Sequence, residues 1–200
     1  IVKERAEISD DSIRKKESAE EKDKIISAAD TDARMMGKKE NEVAPSYKSH
    51  LAMTAKRFIT YTDASLATIY DGHHGYKIIC DLKARGFNVP MAVGDTHYGD
   101  ILFREDMQFQ NTQIVAPYRS NQPMNSCLTN DIMIEAWAYN HTDHYKKHRK
   151  IRAYIEPKQG EMKNLHGMKR ARFRGLKRVR IQNYLSAIVT NCKRMINVAS

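Results

Sequence analysis

The order of segments along the chain predicts a mixed α/β fold, a sheet flanked by helices. Two β-prone runs near residue 50 precede a helical pattern, short strand-like runs follow that helix, and the chain ends in apolar residues at helical spacing. Of the 200 residues, 41% are apolar and 29% are charged. A chain of this length and composition is able to bury a core, which excludes a wholly disordered protein.

The first 30 residues are predicted to form a charged helical arm outside the core. Between residues 11 and 29, Ile13, Ile25 and Ile26 are the few large apolar side chains, which is too sparse a pattern for a core element. We therefore expect an arm over residues 1–30 and a folded domain over residues 31–200. Because the sequence begins with Ile1 instead of methionine, we expect it to be part of a longer polypeptide.

The folded domain is expected to begin with a hairpin, formed by the β-prone runs at residues 47–53 and 57–62. A helix should follow, from Asp71 until Gly86 stops it. Further strands are expected at residues 89–95, 113–116 and 132–137. The chain should end in a helix whose apolar stripe packs into the core. That stripe consists of Leu185, Ile188, Val189, Cys192, Met195 and Ile196.

The net charge of +10 arises at the end of the chain. Residues 141–200, which we expect to be largely helical, hold 16 basic and 3 acidic side chains. Arginine binds phosphate with two parallel hydrogen bonds, so this concentration indicates a nucleic-acid partner. The alternatives are a solvated helix face and contact with an acidic protein. The candidate DNA-binding residues in the segment 168–180 are Lys169, Arg170, Arg172, Arg174, Lys177 and Arg178.

Cysteine and histidine spacing gives little support for a metal-binding or disulfide-rich protein. The three cysteines lie far apart and outside any Cys-x-x-Cys pair. His141, His144 and His148 would share one helix face and could bind zinc. The many lysines around them instead favour a surface that faces phosphate.

Two groups of residues could carry chemistry. Asp95 ends an apolar strand-like run, and a carboxylate at the end of a strand is well placed to hold Mg²⁺. The alternative role for Asp95 is a helix cap or a turn. Arg152, Glu156 and Lys163 fall on one face if the segment is a single helix, which places an acid between two cations. The alternative for this group is a surface ion-pair ladder.

These pieces, in this order, resemble the catalytic domain of insertion-sequence DDE transposases, in the group with a Tyr-Arg-Glu-Lys signature on its acidic helix. The resemblance runs from about Asp32 to Val198. It rests on residues 31–35, 47–52, 71–72, 93–99, 155–158 with Lys163, 174–176, 181–182 and 191–195.

The resemblance implies a ribonuclease-H-like fold in which two aspartates and a glutamate hold Mg²⁺ or Mn²⁺. Asp95 matches the second aspartate and Glu156 the glutamate, while Arg152 and Lys163 match the arginine and lysine of the signature. Arg149 stands where the signature has tyrosine. The family's first aspartate is expected on a strand upstream of Asp32, so the fold should lack its first strand.

The implied activity is metal-dependent DNA cleavage and strand transfer, in which two ions activate water and stabilise the leaving oxygen. The implied partners are the DNA ends of the insertion sequence, the target DNA and a second copy of the protein. We expect a bacterial, cytoplasmic, nucleoid-associated protein with no membrane partner, since no run of apolar residues is long enough to span a bilayer. The alternative function is a non-catalytic DNA-binding relic of a transposase.

Overall fold

Helices and small β-sheets follow one another along the chain, which confirms the mixed α/β class. The computed structural model describes residues 6–9, 12–15, 24–37, 43–117 and 130–199. Contacts divide the chain into unit 1 and unit 2. Unit 1 comprises residues 1–51, 62–69 and 161–200, and unit 2 comprises residues 52–61 and 70–160. Across the described ranges, no helix combines the length and the hydropathy needed to cross a membrane.

The N-terminal segment contains a pair of strands. Strand β1, Ala6–Ser9, pairs antiparallel with strand β2, Ser12–Lys15, and Ile8 is the register partner of Ile13. The helical arm predicted over residues 1–30 is therefore wrong at these two segments. Isoleucine is β-branched, and two such residues at facing register positions favour strand pairing over helix. Most of the remaining arm, with Asp10, lies outside the described residues.

A three-stranded sheet follows, in the order β3-β4-β5. It consists of β3, Arg34–Met36, β4, Ala44–Met53, and β5, Ile59–Leu66. Strands β3 and β4 are antiparallel, with Arg34 opposite Ser46. Strands β4 and β5 are neighbours joined by a short turn, which agrees with the predicted hairpin.

Unit 2 is built on helix α1, Asp71–Ala84, which ends just before Gly86 as predicted. Gly86 has φ +85°, a conformation that favours glycine and ends the helix. Two strands pair in parallel beside it: β6, Met91–Val93, and β7, Gln113–Val115. Helix α2, Ile101–Phe109, connects them. The core cluster of this unit consists of Ile79, Phe103, Met107, Ile114 and Ala116.

The strand predicted at residues 132–137 is wrong, because this segment lies in helix α3, Asp131–Asn140. The side chain of Asn130 accepts hydrogen bonds from the backbone amides of Ile132 and Met133, at 3.0 and 3.4 Å. This is an N-cap, and the acid at the next residue also favours a helix start. Local capping thus outweighs the strand propensity of the apolar residues.

The chain continues as helix α4, Asp143–Arg149, a 3₁₀ segment, Lys150–Tyr154, helix α5, Ile155–Leu165, and helix α6, Leu176–Ala199. The apolar stripe predicted to pack α6 into the core is exposed: Leu185 is 58% and Ile196 is 68% accessible. The opposite face of α6 is buried and mostly polar. It consists of Val179, Gln182, Asn183, Ser186, Ala187 and Thr190. The prediction failed because these polar side chains have hydrogen-bond partners, so their burial carries little penalty.

Candidate functional site

Asp95 lies at the carboxyl end of strand β6, as the sequence predicts. The amide of Gly94 donates to the carbonyl of Val115 at 3.0 Å, which extends the β6–β7 pairing up to this carboxylate. Oδ1 of Asp95 accepts from the amide of His97 at 2.8 Å and caps a 3₁₀ turn, Thr96–Tyr98. Its side chain is also 47% exposed. Asp95 therefore has the capping role and remains accessible to a ligand from solvent.

Glu156 lies in the first turn of α5 and is 60% exposed. Nη2 of Arg152 lies 3.2 Å from Oε1 of Glu156, an exposed ion pair of the kind that the alternative, a surface ion-pair ladder, predicts. The segment is not one continuous α-helix, since Arg152 belongs to the 3₁₀ segment. Pro157 explains the break, because proline lacks an amide hydrogen and is tolerated in the first turn of a helix. Lys163 is exposed in the last turn of α5.

The described residues do not complete a metal centre. No group of three or more His, Cys, Asp or Glu side chains within them could hold a metal ion. Of the two predicted metal ligands, Asp95 caps a turn and Glu156 forms an ion pair with a cation. Mg²⁺ binding with only these two carboxylates does not fit the structure, so we assign no chemical step to a metal held by the described residues alone.

The histidine that follows α3, His141, and the two histidines of α4, His144 and His148, do not form the zinc site that their spacing allows. The ring nitrogen Nδ1 of His141 lies 2.7 Å from the carbonyl of Trp137, and Nδ1 of His148 lies 2.8 Å from the carbonyl of His144. The rings also contact one another in a tilted arrangement, with centroids 4.2 Å apart at 47° for Trp137–His141 and 4.1 Å apart at 44° for His144–His148. Trp137, His141 and His144 are exposed and His148 is half-buried.

The basic segment 168–180 connects α5 to α6 and includes the first residues of α6. The six candidate DNA-binding residues within it, Lys169, Arg170, Arg172, Arg174, Lys177 and Arg178, are all exposed. Arg180 differs: its Nε lies 2.6 Å from Oδ1 of Asp63, whose side chain is buried. Most of the positive charge of this segment is therefore available to an external anion.

The start of α6 is held by residues that sequence reasoning did not assign a structural role. Oδ2 of Asp32 accepts from the amide of Leu176 at 2.8 Å, and the hydroxyl of Tyr47 accepts from the amide of Gly175 at 2.9 Å. Gly175 has φ +86°, which favours glycine at this turn. The sequence did contain an indication of these contacts. Three of the motifs, at residues 31–35, 47–52 and 174–176, supply the residues that hydrogen-bond to one another here.

Tyr47 also donates to the carboxylate of Asp30, with distances of 2.5 and 2.6 Å to its two oxygens. Burial and this hydrogen bond raise the pKa of Tyr47 to about 12. The phenol therefore stays protonated at neutral pH and keeps the hydrogen that it donates to Asp30.

Replacing Asp32 with alanine should destabilise the protein by about 1 kcal/mol, because the first amide of α6 loses its acceptor. Asn is also a good acceptor at a helix start, so Asp32→Asn should retain most of that stability. Urea denaturation of the three proteins would measure the difference. Equal losses in the two variants would contradict the capping role.

A protein-family model matches residues 120–196, a region that includes α3 to α6 and the basic segment. That model is described as Transposase DDE domain. Over these residues the chain is similar to a transposase DDE domain. The matched region contains Arg152, Glu156 and Lys163 but does not reach Asp95, and it spans less than half of the chain. No curated protein and no solved structure matches the chain.

Proposed function

We propose that this chain is part of a DDE transposase of an insertion sequence, with a ribonuclease-H-like fold and membership of the Tyr-Arg-Glu-Lys group. The observation that carries the proposal is the family match over residues 120–196. The pairing of Arg152 with Glu156 and the position of Lys163 seven residues further along support the group assignment. The chain departs from this signature at Arg149, which stands where the signature has tyrosine.

In the complete site, Asp95 and Glu156 are the second and third acidic ligands of Mg²⁺ or Mn²⁺. When bound, such ions activate water and stabilise the leaving oxygen of a phosphodiester. A further carboxylate is required, because Mg²⁺ sheds water reluctantly and the described residues offer no three-ligand group. Asp32 is not that ligand in our proposal, since its carboxylate binds the start of α6.

DNA is the partner of the basic side chains. Arg152 and Lys163 would balance phosphate charge beside Glu156, and the exposed residues of the segment 168–180 would bind the DNA backbone. Phosphate contacts of this kind position a protein on DNA without reading its sequence. We further propose that the active form is a homodimer, acting at the nucleoid of a bacterial cell.

A second candidate function is a DNA-binding relic of a transposase that does not catalyse. The observation that favours it is the absence of a three-ligand metal group among the described residues. The two candidates predict the same DNA binding by the basic segment and differ in whether cleavage is possible once a further carboxylate is present.

The purified 200-residue chain should bind supercoiled DNA but should not nick it in Mg²⁺ or Mn²⁺, because two carboxylates do not hold the ions. Gel analysis of plasmid topology, with Asp95→Asn as the matched control, measures this. Nicking by the wild-type chain that Asp95→Asn lacks would show that a further carboxylate of this chain completes the site. Failure to bind DNA would overturn both candidate functions.

A further inference from the structure

Gln182 is a buried polar residue on the inner face of α6, with 7% of its surface exposed. Its side-chain Nε2 donates to the carbonyls of Gly167 and Arg170, at 2.7 and 2.8 Å. Its Oε1 accepts from the amide of Arg172 at 2.9 Å. One amide side chain therefore binds three backbone groups of the loop between α5 and α6.

Other contacts fix the beginning of the same loop. The hydroxyl of Ser186, one turn further along α6, donates to the carbonyl of His166 at 2.8 Å. The amide of Met168 donates to the carbonyl of Met162 at 3.0 Å. Gly167 has φ +76°, and a Cβ there would lie 3.0 Å from the guanidinium of Arg172. Hydrogen bonds to α5 and α6 therefore fix the backbone of residues 166–172.

The basic side chains of this loop are exposed to solvent. Lys169, Arg170 and Arg172 are exposed, while the backbone groups next to them are bound by Gln182. A loop held in this manner presents its charges in one arrangement before any ligand arrives. Binding then avoids the entropy cost of ordering the backbone.

We propose that Gln182 is a positioning residue for DNA binding, which holds the basic loop 166–172 in the conformation that contacts phosphates. The inference rests on the proposed function, since it requires the basic segment to bind DNA. Gln182 itself touches no DNA in this arrangement. It acts through the backbone of Arg170 and Arg172.

The test is Gln182→Met, which preserves side-chain length and removes all three hydrogen bonds to the loop. Affinity for a duplex oligonucleotide should fall about tenfold, roughly the cost of ordering one further residue on binding. The slope of affinity against salt should not change, because every charged side chain remains and the same counterions are released. Trypsin should also cleave after Lys169, Arg170 and Arg172 faster than in the wild-type chain.

Thr190→Val is the matched control. Thr190 is buried on the same helix, and its hydroxyl donates to the carbonyl of Ser186 at 2.7 Å, so the variant loses a buried hydrogen bond outside the loop. It should leave DNA affinity and loop cleavage unchanged. An equal loss of affinity in Thr190→Val and Gln182→Met would overturn the positioning role, and so would unchanged affinity in Gln182→Met. DNA binding that does not depend on the loop arginines at all would instead reject the part of the proposed function that assigns DNA binding to the basic segment.

Discussion

Replacing Arg104 with leucine should destabilise unit 2 by about 3 kcal/mol, because several buried carbonyls lose their donor together. Arg104 is 6% exposed, and its guanidinium donates to the carbonyls of Gly99, Ile114 and Ala116 at 3.1, 3.4 and 3.0 Å. Burial lowers the pKa of Arg104, but the guanidinium remains charged at neutral pH. It therefore ties the end of strand β7 to helix α2.

Denaturant unfolding monitored by the fluorescence of Trp137, the only tryptophan in the sequence and a residue of unit 2, would measure this loss. Glu105→Ala is the control, since it changes an exposed residue of the same helix. Arg104→Lys should lie closer to leucine than to the wild type, because an ammonium group does not reproduce the planar donor geometry. An unfolding midpoint for Arg104→Leu equal to that of Glu105→Ala would reject the role.

Replacing Arg170, Arg172 and Arg174 together with alanine should weaken binding to all DNA sequences alike, by about a hundredfold at low salt if each contact is worth roughly 1 kcal/mol. Each neutralised phosphate releases counterions, so the slope of log affinity against log salt should fall by about three units. Fluorescence anisotropy with labelled duplexes of two unrelated sequences would measure both quantities.

The control for this variant lowers the net charge by the same amount elsewhere. Lys56, Lys77 and Arg85 are basic and exposed and lie in unit 2, outside the basic segment, so their replacement by alanine should have a small effect. If the two triple variants lose equal affinity, the positive field of the whole protein attracts DNA and the segment has no special contact. A slope that stays at the wild-type value in both would show that these arginines face away from phosphate.

Elements with a strong local signal were predicted from the sequence. The hairpin over β4 and β5, the helix that ends before Gly86 and the short strand at residues 113–115 all agree with the structure. The strand at residues 132–137 was wrong because the capping side chain of Asn130 outweighed the residue preferences that follow it. In each case the outcome depended on interactions within a few residues of the element.

Tertiary contacts were not accessible to the same reasoning. The apolar periodicity of α6 correctly predicted a helix but identified the wrong buried face, since the hydrogen-bond partners of Gln182 and Asn183 come from distant segments. The structural role of Arg104 could not be predicted, because the sequence around a single arginine does not show that three backbone carbonyls surround it in the fold. Asp95 and Glu156 were identified as candidates from their positions in motifs, and their shared site stays a prediction.

The two faces of α6 limit the salt conditions in which the isolated chain stays both free of DNA and unaggregated. Its outward face carries exposed apolar side chains such as Leu185 and Ile188. Kosmotropic salts such as sulfate strengthen apolar association between such faces of different molecules. Ionic strength also removes nucleic acid from the arginines at its start. A sulfate wash that removes cellular DNA therefore also promotes aggregation, and a chloride salt at moderate concentration is the better choice for purification.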